Sequence, residues 1–387
     1  MSLKVAIVTE SFLPSVNGVT NSVLQVIHTL KKHGHEVLII APKSPESEYL
    51  GFPIIRTAAL ELFGFPVGLP LIGMKSVLRS FNPDVVHVAA PFMLGRQGLA
   101  VANRLNIPSV AIYQTDVTGY LQRYGARILT PLYKWLLRRI HKKATITLAP
   151  TAETASMLQA LGCPNVSIWG RGVDISLFNP RRKLSIAVQK YKLAIGVKPA
   201  DLVVGYVGRL AAEKQVTRFS EFTDLPNVQF LIVGDGVERA SLEKQFENQR
   251  VKFVGKQSAD LLANSYAAMD IFVHCGEEET FGQTIQEAKA AGVPPIAPAR
   301  GGPKFLIEDG LTGFLVDPDK PLAYREALLR LINDSELRER MGLEARASML
   351  GRTWKNNNEQ LISHYESVIE AKKKQLPKPR FQLRTLN

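Results

Sequence analysis

In the stretch LVVGYVGRLAAEK, residues 202–214, a short apolar run is followed by a glycine and by a loop that carries two cations. An apolar run of this length, bounded by turn residues, is typical of a buried strand in a parallel sheet. Similar runs alternate with amphipathic helical patterns along the whole chain. Such alternation indicates parallel α/β units, so the sequence predicts an α/β protein.

The apolar runs fall into two series. A cluster of Gly, Pro and charged residues at 170–183 interrupts the alternation, and we place a domain boundary there. A chain of 387 residues also exceeds the size at which one hydrophobic core keeps growing. We therefore expect two doubly wound halves with a ligand cleft beyond the carboxyl ends of their strands. The predicted strands are 4–8, 36–40, 85–88, 109–113, 145–148, 166–168, 202–207, 228–233, 251–254, 271–273 and 294–297.

Helical patterns complete the predicted organisation. The first helix is predicted over 19–32, and the chain after Pro321 is predicted to form three helices, the last over 353–374. We expect a first domain over 1–172, a second domain over 173–352 and a disordered basic tail over 375–387.

Positive charge is concentrated in the first half of the chain. Residues 1–173 carry 17 Lys/Arg against 8 Asp/Glu, residues 174–371 carry 25 against 27, and the tail from 372 carries six basic residues. An anionic surface is therefore expected to meet the first half. The two cysteines match no metal or disulfide pattern. No signal peptide is evident, and no apolar run reaches the ~18–20 residues that span a bilayer, so we expect a cytoplasmic protein.

Two carboxylates, Glu279 and Glu287, lie eight positions apart around a Phe-Gly turn that opens a predicted helix. Unpaired amides at a helix N-terminus suit a phosphate. Beside such a phosphate, Glu279 is placed to accept hydrogen bonds from sugar hydroxyls and Glu287 to hold a ribose diol. Two alternatives stay open: an acid/base pair of a glycoside hydrolase, or simple helix N-terminal charges.

Two cations, Arg209 and Lys214, follow the strand predicted over 202–207. After a strand end both are placed to converge on a diphosphate, Arg through a bidentate fork and Lys as a mobile point charge. A surface salt bridge to Glu213 is the alternative for either residue alone. In the first βα turn, Gly18 is placed to bring backbone N–H groups close to the same diphosphate. An ordinary tight turn is the alternative there.

Taken together, the Glu279 element and the upstream Arg209 and Lys214 resemble glycosyltransferase family 4, whose members are retaining, nucleotide-sugar-dependent enzymes. The stretches 10–19, 113–116 and 272–274 resemble a subgroup of GDP-mannose-dependent α-mannosyltransferases that act on glycolipids such as glucuronosyl-diacylglycerol. The resemblance covers nearly the whole chain. It implies the GT-B fold, in which two Rossmann-like domains face each other across a cleft and the final helix returns to the first domain.

This resemblance also implies the chemistry: transfer of α-mannose from GDP-mannose to a lipid hydroxyl, with Lys214 in place of a metal and no cofactor. No protein nucleophile is implied. The residues expected to bind the donor or stabilise the leaving diphosphate are Gly18, Arg209, Lys214, Val254, Lys256, Glu279, Phe281, Gly282, Gln283 and Glu287.

The sequence departs from much of the family at Gln114, where many members have a histidine near the reaction centre. Asp116, two residues on, is therefore our candidate for contacting sugar hydroxyls or orienting the acceptor. We expect His87 to be structural. The pair Asp317 and Asp319 superficially resembles a metal motif, but its position after a strand-like run predicts a polar turn.

A basic amphipathic stretch over 121–143 fits a lipid acceptor, because basic and aromatic residues alternate there as they do in surfaces that lie on anionic bilayers. Residues 62–71, with Phe63 and Phe65, are predicted to be a poor helix or strand and to form an apolar loop that dips among acyl chains. A core helix with a solvated basic face is the alternative for the first stretch. The basic residues assigned to the membrane are Arg123, Arg127, Arg138, Arg139, Lys142 and Lys143.

Other functions compete with this interpretation. Sugar-nucleotide epimerases and phosphorylases share two facing α/β halves, and within the family another sugar nucleotide or a phosphatidylinositol-mannoside acceptor is an alternative. The sequence pI of about 9.6 suggests nucleic-acid binding, but no nucleic-acid module is present. We expect a peripheral enzyme on the inner face of the cell membrane, with a nucleotide-sugar donor, a lipid acceptor and no nucleic-acid partner.

Overall fold

The computed structural model of the protein describes residues 2–15, 17–42, 44–62, 65–114, 128, 130–198 and 201–375, with the backbone alone at 61–62, 65–67 and 375. Two parallel sheets, one in each half of the chain, organise these residues.

The first half forms an eight-stranded sheet in the order β10-β9-β8-β7-β1-β2-β4-β3, in which β3 alone runs antiparallel to its neighbour among the pairings described. Its elements in chain order are β1 Lys4–Val8, α1 Gly18–Lys32, β2 Glu36–Pro42, β3 Glu48–Tyr49, β4 Phe52–Thr57, β5 Ala59–Leu62, β6 Phe65–Gly68, α2 Met74–Phe81, β7 Val85–Val88, α3 Met93–Arg104, β8 Ser109–Ile112, α4 Thr130–His141, β9 Ile146–Ala149, α5 Ala152–Ala160 and β10 Val166–Ile168.

The second half forms a six-stranded parallel sheet in the order β13-β12-β11-β14-β15-β16. Short 3-10 helices lie at Pro180–Leu184, Ala212–Lys214 and Val216–Glu221. The other elements are α6 Ile186–Ala194, β11 Leu202–Val207, β12 Val228–Val233, α7 Arg239–Gln245, β13 Val251–Gly255, α8 Ala259–Ala268, β14 Ile271–Val273, α9 Gln283–Ala290, β15 Pro295–Pro298, α10 Pro303–Leu306, β16 Phe314–Val316, α11 Ala323–Asn333, α12 Ser335–Ala347 and α13 Trp354–Gln375.

Helices cover both faces of each sheet, which explains why the central strands are apolar throughout rather than alternating. On β1, Val5 and Ile7 belong to one buried cluster, whereas Ala6 and Val8 belong to the cluster on the other face. Strand β11 divides in the same way between its two faces. Side chains of a strand point alternately to the two faces, so a continuous apolar run supplies two cores at once.

Each sheet has a point where the strand order reverses. In the first sheet β1 lies between β2 and β7, and in the second β11 lies between β12 and β14. Connections from the two neighbouring strands leave in opposite directions at such a point, and the resulting crevice is where open α/β sheets bind ligands. The loops after β1, β11 and β14 therefore lie where a ligand is expected.

The final helix, α13, packs on the first sheet. Its Leu361 and Tyr365 belong to that sheet's buried cluster, and the Tyr365 hydroxyl lies 2.7 Å from Nδ1 of His87 on β7. Burial lowers the pKa of His87 to about 3, so its imidazole is neutral. The Trp169 indole N–H also donates to the Asn357 carbonyl at 2.9 Å. The last helix thus returns across the second half to the first.

The α/β class and the two doubly wound halves are confirmed, and the predicted strands match the observed ones to within two residues at each end. One prediction about local structure is wrong. Residues 59–62 and 65–68 form an antiparallel two-stranded ribbon, β5–β6, where a loop over 62–71 was predicted. Proline and glycine predicted irregular backbone, but both are tolerated in a ribbon whose strands have open edges.

Candidate active site

Lys214 and Glu279 form an ion pair at the carboxyl edge of the second sheet. The Lys214 ammonium donates to Oε2 of Glu279 at 2.8 Å, and the two side chains are 18% and 19% exposed. Lys214 ends a 3-10 helix after β11, and Glu279 lies in the loop after β14. Because β11 and β14 are hydrogen-bonded neighbours, two residues 65 positions apart meet at one point.

The other oxygen of Glu279 is bonded to its own loop. Oε1 accepts the backbone N–H of Gly282 at 3.1 Å and that of Phe281 at 3.4 Å. Gly282 has a φ of 99°, which favours glycine. The sequence assigned these two amides to a diphosphate, whereas in this structure they orient the Glu279 carboxylate.

The charge of Glu279 is set by opposing effects. Burial would raise its pKa, but Lys214, His274 and Arg171 lower it to about 2. At neutral pH the group is therefore a carboxylate that accepts hydrogen bonds, and it has no proton to give. A glycoside hydrolase needs one carboxyl with a raised pKa as its acid, so Glu279 does not fit that role.

Glu287 lies on the buried face of α9. Its Oε2 accepts a hydrogen bond from the Tyr266 hydroxyl at 2.9 Å. Burial raises the pKa of Glu287 to about 7, against hydrogen bonds from Tyr266 and Gln283 that lower it. The two carboxylates that the sequence paired therefore have different protonation behaviour because their surroundings differ.

Arg209 ion-pairs with Glu213, four residues along the chain. This is the alternative that the sequence left open for that residue. The Arg209 side chain is still 39% exposed, while the Glu213 carboxylate beneath it is buried. Both predicted cations thus lie in the loop after β11, each beside a carboxylate.

The first half supplies the facing wall through α1. At its N-terminus the Asn17 side chain accepts the backbone N–H groups of Val19 and Thr20, both at 3.0 Å. These two amides, which follow the predicted diphosphate turn at Gly18, are thus already bonded to Asn17. A Cβ at Gly18 would lie 2.7 Å from Nη1 of Arg171, so this guanidinium occupies the space that the glycine leaves.

Gln114 connects the two walls. Its Oε1 accepts from Nη2 of Arg171 at 2.8 Å, and its Nε2 donates to the Ala89 carbonyl at 2.9 Å. Its own carbonyl accepts the Thr280 hydroxyl at 3.3 Å, a contact between the halves one residue from Glu279. The position where many family members have histidine is therefore occupied by an amide that holds an arginine.

His274 lies behind the ion pair. Its Nε2 is 4.0 Å from Oε2 of Glu279, and the side chain is buried. Burial, with Lys214 as the next cause, lowers the pKa of His274 to about 4, so it is neutral at physiological pH.

The sequence patterns assigned no role in the site to Arg171 or His274, and at Gln114 they assigned the role to Asp116 instead. A signal for them exists, since each lies within three residues of the end of a strand that was predicted, at 166–168, 109–113 and 271–273. Residues at the carboxyl ends of parallel strands face the crevice.

Other predicted residues are placed more peripherally. Val254 and Lys256 lie at the carboxyl end of β13, an edge strand two positions from β11. Asp317 accepts the Asp319 backbone N–H at 3.1 Å, which makes a polar turn. In the part of the chain that the structure describes, no group of three or more His, Cys, Asp or Glu could hold a metal ion.

The predicted residues Asp116, Arg123, Arg127 and Phe63 lie outside the described residues, as does the side chain of Phe65.

Helix α4 carries the described part of the predicted membrane surface. Leu137 and Ile140 are buried, whereas Leu132 is 60% and Trp135 is 53% exposed. The guanidinium of Arg139 lies 5.1 Å from the centre of the Trp135 ring. Of the assigned basic residues, Arg138, Arg139 and Lys142 are exposed and Lys143 is partly exposed. Among the described residues, no helix is long and apolar enough to cross a membrane.

Two family models match the chain, Glycosyltransferase Family 4 over residues 16–177 and Glycosyl transferases group 1 over residues 189–348. The chain is 43% identical over 377 residues to the GDP-mannose-dependent alpha-mannosyltransferase of Mycolicibacterium smegmatis. The aligned residues cover 95% of this chain and 98% of that protein. It is 29% identical over 346 residues to the alpha-monoglucosyldiacylglycerol synthase of Acholeplasma laidlawii, covering 83% and 86% of the two chains.

A solved structure of low sequence identity is similar to this chain in fold. The sucrose-phosphate synthase of Thermosynechococcus elongatus has a TM-score of 0.77 at 19% identity, covering 95% of this chain and 100% of that one. Family models on both halves and a relative of nearly equal length agree with the facing sheets and the loops after β11 and β14. The chain therefore belongs to glycosyltransferase family 4, is a glycosyltransferase, and has the GT-B fold.

Proposed function

We propose that this enzyme transfers α-mannose from GDP-mannose to a hydroxyl of a membrane glycolipid, with retention of the anomeric configuration. The observation that carries the proposal is the Lys214–Glu279 ion pair at the reversal point of the second sheet. A cation and a permanently ionised carboxylate side by side suit a donor with an anionic leaving group attached to a polyhydroxylated sugar. The GDP-mannose donor is supported by the name of the 43% identical relative.

In this proposal the second half stabilises the departing diphosphate. Negative charge builds on the leaving oxygen in the transition state, and a fixed cation in a partly dry site stabilises that charge more than it does the ground state. Lys214 is held in place by Glu279, and Arg209 by Glu213. These two cations take the role of a metal, and no cofactor is needed.

Glu279 accepts hydrogen bonds from the mannose hydroxyls. Its low pKa supports this role, because a carboxylate that remains ionised accepts hydrogen bonds through both oxygens and donates none. Asp116 assists at the sugar or the acceptor, and the leaving phosphate oxygen takes the proton of the acceptor hydroxyl on the front face. No protein nucleophile is required.

Glu287 binds the ribose, and the guanine lies near Val254 and Lys256. The position of Glu287 supports its role, since it lies on α9, the helix that begins directly after the Phe281-Gly282 turn. The position of β13 at the edge of the second sheet supports the guanine assignment, because a base bound there would lie farther from Lys214 than a diphosphate bound beside Lys214.

The acceptor we favour is glucuronosyl-diacylglycerol, with the first half docked on the anionic inner face of the cell membrane. Helix α4 supports this docking through exposed Leu132 and Trp135 among exposed basic side chains. A relative named as a diacylglycerol glycolipid synthase supports a lipid acceptor. The alternatives are a phosphatidylinositol-mannoside acceptor and another sugar nucleotide, and nucleic-acid binding is disfavoured.

Release of nucleoside diphosphate tests the proposal. The purified protein is incubated with GDP-mannose, GDP-glucose, UDP-glucose and ADP-glucose in turn, with glucuronosyl-diacylglycerol vesicles or with vesicles that lack this lipid. We expect GDP release from GDP-mannose that depends on the acceptor, and a mannosylated lipid in which mass spectrometry and NMR find an α-linkage. Acceptor-dependent release from a different donor alone would overturn the GDP-mannose assignment.

A further inference from the structure

Arg171 enters the cleft from a segment held by both halves of the molecule. Its backbone carbonyl accepts from Nε2 of Gln286 on α9 at 3.0 Å, and the next carbonyl, of Gly172, accepts from Nε2 of Gln283 at 3.1 Å. The preceding carbonyl, of Gly170, accepts from the Asn357 side chain on α13 at 3.1 Å. Three successive carbonyls are thus fixed, so the Arg171 side chain starts from a rigid position.

The guanidinium of Arg171 is held over the start of α1. Nη2 donates to Gln114, whose own amide is anchored on the Ala89 carbonyl. Nη1 lies 2.7 Å from the position that a Cβ of residue 18 would take. This contact explains the glycine at position 18 differently from the sequence-based prediction, because any larger residue there would displace the guanidinium.

The charge of Arg171 has no ionic partner within the described residues. Two arginines of the second half do have one, since Arg209 is paired with Glu213 and Arg182 with Asp260. Arg346 has no carboxylate partner among the residues described, but it donates to three carbonyls, those of Phe178, Ala290 and Ile175, at 2.8, 2.6 and 3.0 Å. A guanidinium has five N–H donors, and that of Arg171 donates one hydrogen bond, to a neutral amide, within the described structure.

A partly buried cation that lacks an ionic partner is costly. Burial lowers the pKa of Arg171, whereas the negative charge of the Glu279 carboxylate raises it. The guanidinium and this carboxylate are therefore close enough to interact electrostatically. The start of the 15-residue helix α1 adds partial positive charge beside the guanidinium. An oxyanion bound at this point would accept hydrogen bonds from the N–H groups that have no partner within the described residues, and it would offset the positive charge of the guanidinium and of the helix N-terminus.

We propose that Arg171 is an anion-binding residue of the cleft, held over Gly18 by Gln114, and that it binds an oxyanion of a substrate. The inference rests on the proposed function, which supplies two sources of oxyanion. One is the diphosphate of the donor, and the other is an acidic group of the acceptor headgroup. Both sources have the same chemistry, and the two arms of the experiment distinguish them.

The experiment compares Arg171→Met with Arg171→Lys and with Arg346→Met, a control that removes another partly buried arginine. In the first arm, calorimetry measures GDP affinity. In the second arm, kcat/KM is measured with glucuronosyl-diacylglycerol and with neutral glucosyl-diacylglycerol. Loss of a charge-assisted hydrogen bond predicts a decrease of about 10- to 100-fold for Arg171→Met. A decrease in GDP affinity identifies the donor diphosphate as the oxyanion that Arg171 binds. A lost preference for the acidic acceptor identifies the acceptor headgroup as that oxyanion.

Arg171→Lys should restore part of the loss, because it keeps the positive charge without the fork. Arg346→Met should lower the melting temperature and leave GDP affinity and acceptor preference unchanged. If Arg171→Met changes neither quantity by more than about 2-fold, or if Arg346→Met reproduces its losses, the proposal is overturned. The wild type is measured first, so a wild type that does not use GDP-mannose contradicts the proposed function, and Arg171 is then tested with the nucleotide that does bind.

A double-mutant cycle tests the link to Gly18. Gly18→Ala should weaken binding of the same ligand in the wild type, because it displaces the guanidinium, and should cost little further in Arg171→Met. Equal losses in both backgrounds would show that Gly18 acts through its own backbone and would overturn the steric part of the proposal.

Discussion

The Lys214 ammonium lies 2.8 Å from a Glu279 oxygen and joins the loops after two neighbouring strands, β11 and β14. Each charge fixes the other: Lys214 keeps Glu279 ionised, and Glu279 prevents the ammonium from turning to solvent. A variant at either position therefore changes both the cation proposed to stabilise the leaving group and the carboxylate proposed to bind the sugar.

Lys214→Ala should lower turnover by about 10²–10³-fold, because the stabilisation of the leaving diphosphate is realised mainly in the transition state. Arg209→Ala should do the same with weaker donor binding. Steady-state kinetics with GDP-mannose measures both effects. Lys320→Ala, which removes an exposed lysine paired with Glu326 at 3.0 Å, is the control and should be silent. Near-wild-type turnover in both cleft variants would remove the diphosphate assignment.

Glu279→Gln should impair transfer and leave GDP affinity nearly intact, because Glu279 is assigned to the mannose. Glu287→Gln should instead weaken GDP itself, because Glu287 is assigned to the ribose. Calorimetry with GDP on both variants measures the difference. The reverse order of GDP affinities would exchange the two roles or discard them.

Stability should depend on pH through Glu287. Burial raises its folded-state pKa to about 7 from an ordinary value of 4.5, so between these values the native state binds more protons than the unfolded state. The contribution of Glu287 to stability is therefore present at low pH and is lost as the pH rises to about 7. Glu287→Gln should lack this loss, so its stability relative to wild type should rise between pH 5 and pH 8. The rise should be at most a few kcal/mol, the free energy that corresponds to the pKa shift of Glu287.

Unfolding by denaturant at pH 5, 6, 7 and 8 measures that difference. Glu279 does not interfere, because its pKa is lowered to about 2 and its contribution is lost only as the pH falls below 4.5. A stability difference between Glu287→Gln and wild type that is constant over this range would contradict the titration of Glu287.

EDTA should leave the transfer activity unchanged, because Arg209 and Lys214 are proposed to replace a metal at the diphosphate. Activity is measured with GDP-mannose before and after exhaustive dialysis against the chelator. Loss of activity that Mg²⁺ or Mn²⁺ restores would show that these two cations do not suffice.

Binding to phosphatidylglycerol vesicles should be strong at low salt and weaken at high salt, because salt screens surface charges. Changing Arg138, Arg139, Lys142 and Lys143 to Glu should abolish it, with each lost charge worth roughly 1 kcal/mol near the surface. GDP binding should survive. Vesicle sedimentation at two salt concentrations measures the first effect and calorimetry the second.

Two variants separate α4 from the other sources of attraction. A chain that ends at Ala371 removes the basic tail and should still bind vesicles. Leu132→Ala with Trp135→Ala removes the exposed apolar side chains of α4 without a change in charge and should weaken the binding that persists at high salt. Vesicle binding that survives the four-fold change but not the truncation would assign the attraction to the tail.

Most of the strands could be predicted from the sequence because a strand buried on both faces is a local apolar run. The ribbon β5–β6 could not, since its strands are stabilised by pairing with each other and by Glu10, whose oxygens accept the N–H groups of Gly68 and Gly95 at 2.9 Å. Proline and glycine in residues 62–71 predicted a loop from local sequence. The ribbon that is observed instead includes a contact between Gly68 and Glu10, which lies 58 residues earlier in the chain.

The sequence by itself determined the α/β class, the two halves and the residue types at the carboxyl ends of β11 and β14, because these depend on local patterns and on motifs at strand ends. The tertiary structure decided which of those residues meet. Lys214 pairs with Glu279 because β11 and β14 are neighbours, and Arg171 reaches Gly18 and Gln114 because the segment between the halves is held by α9 and α13. Such contacts join positions from 57 to more than 150 residues apart, and they exist only once the strand order of both sheets and the packing of one half on the other are fixed.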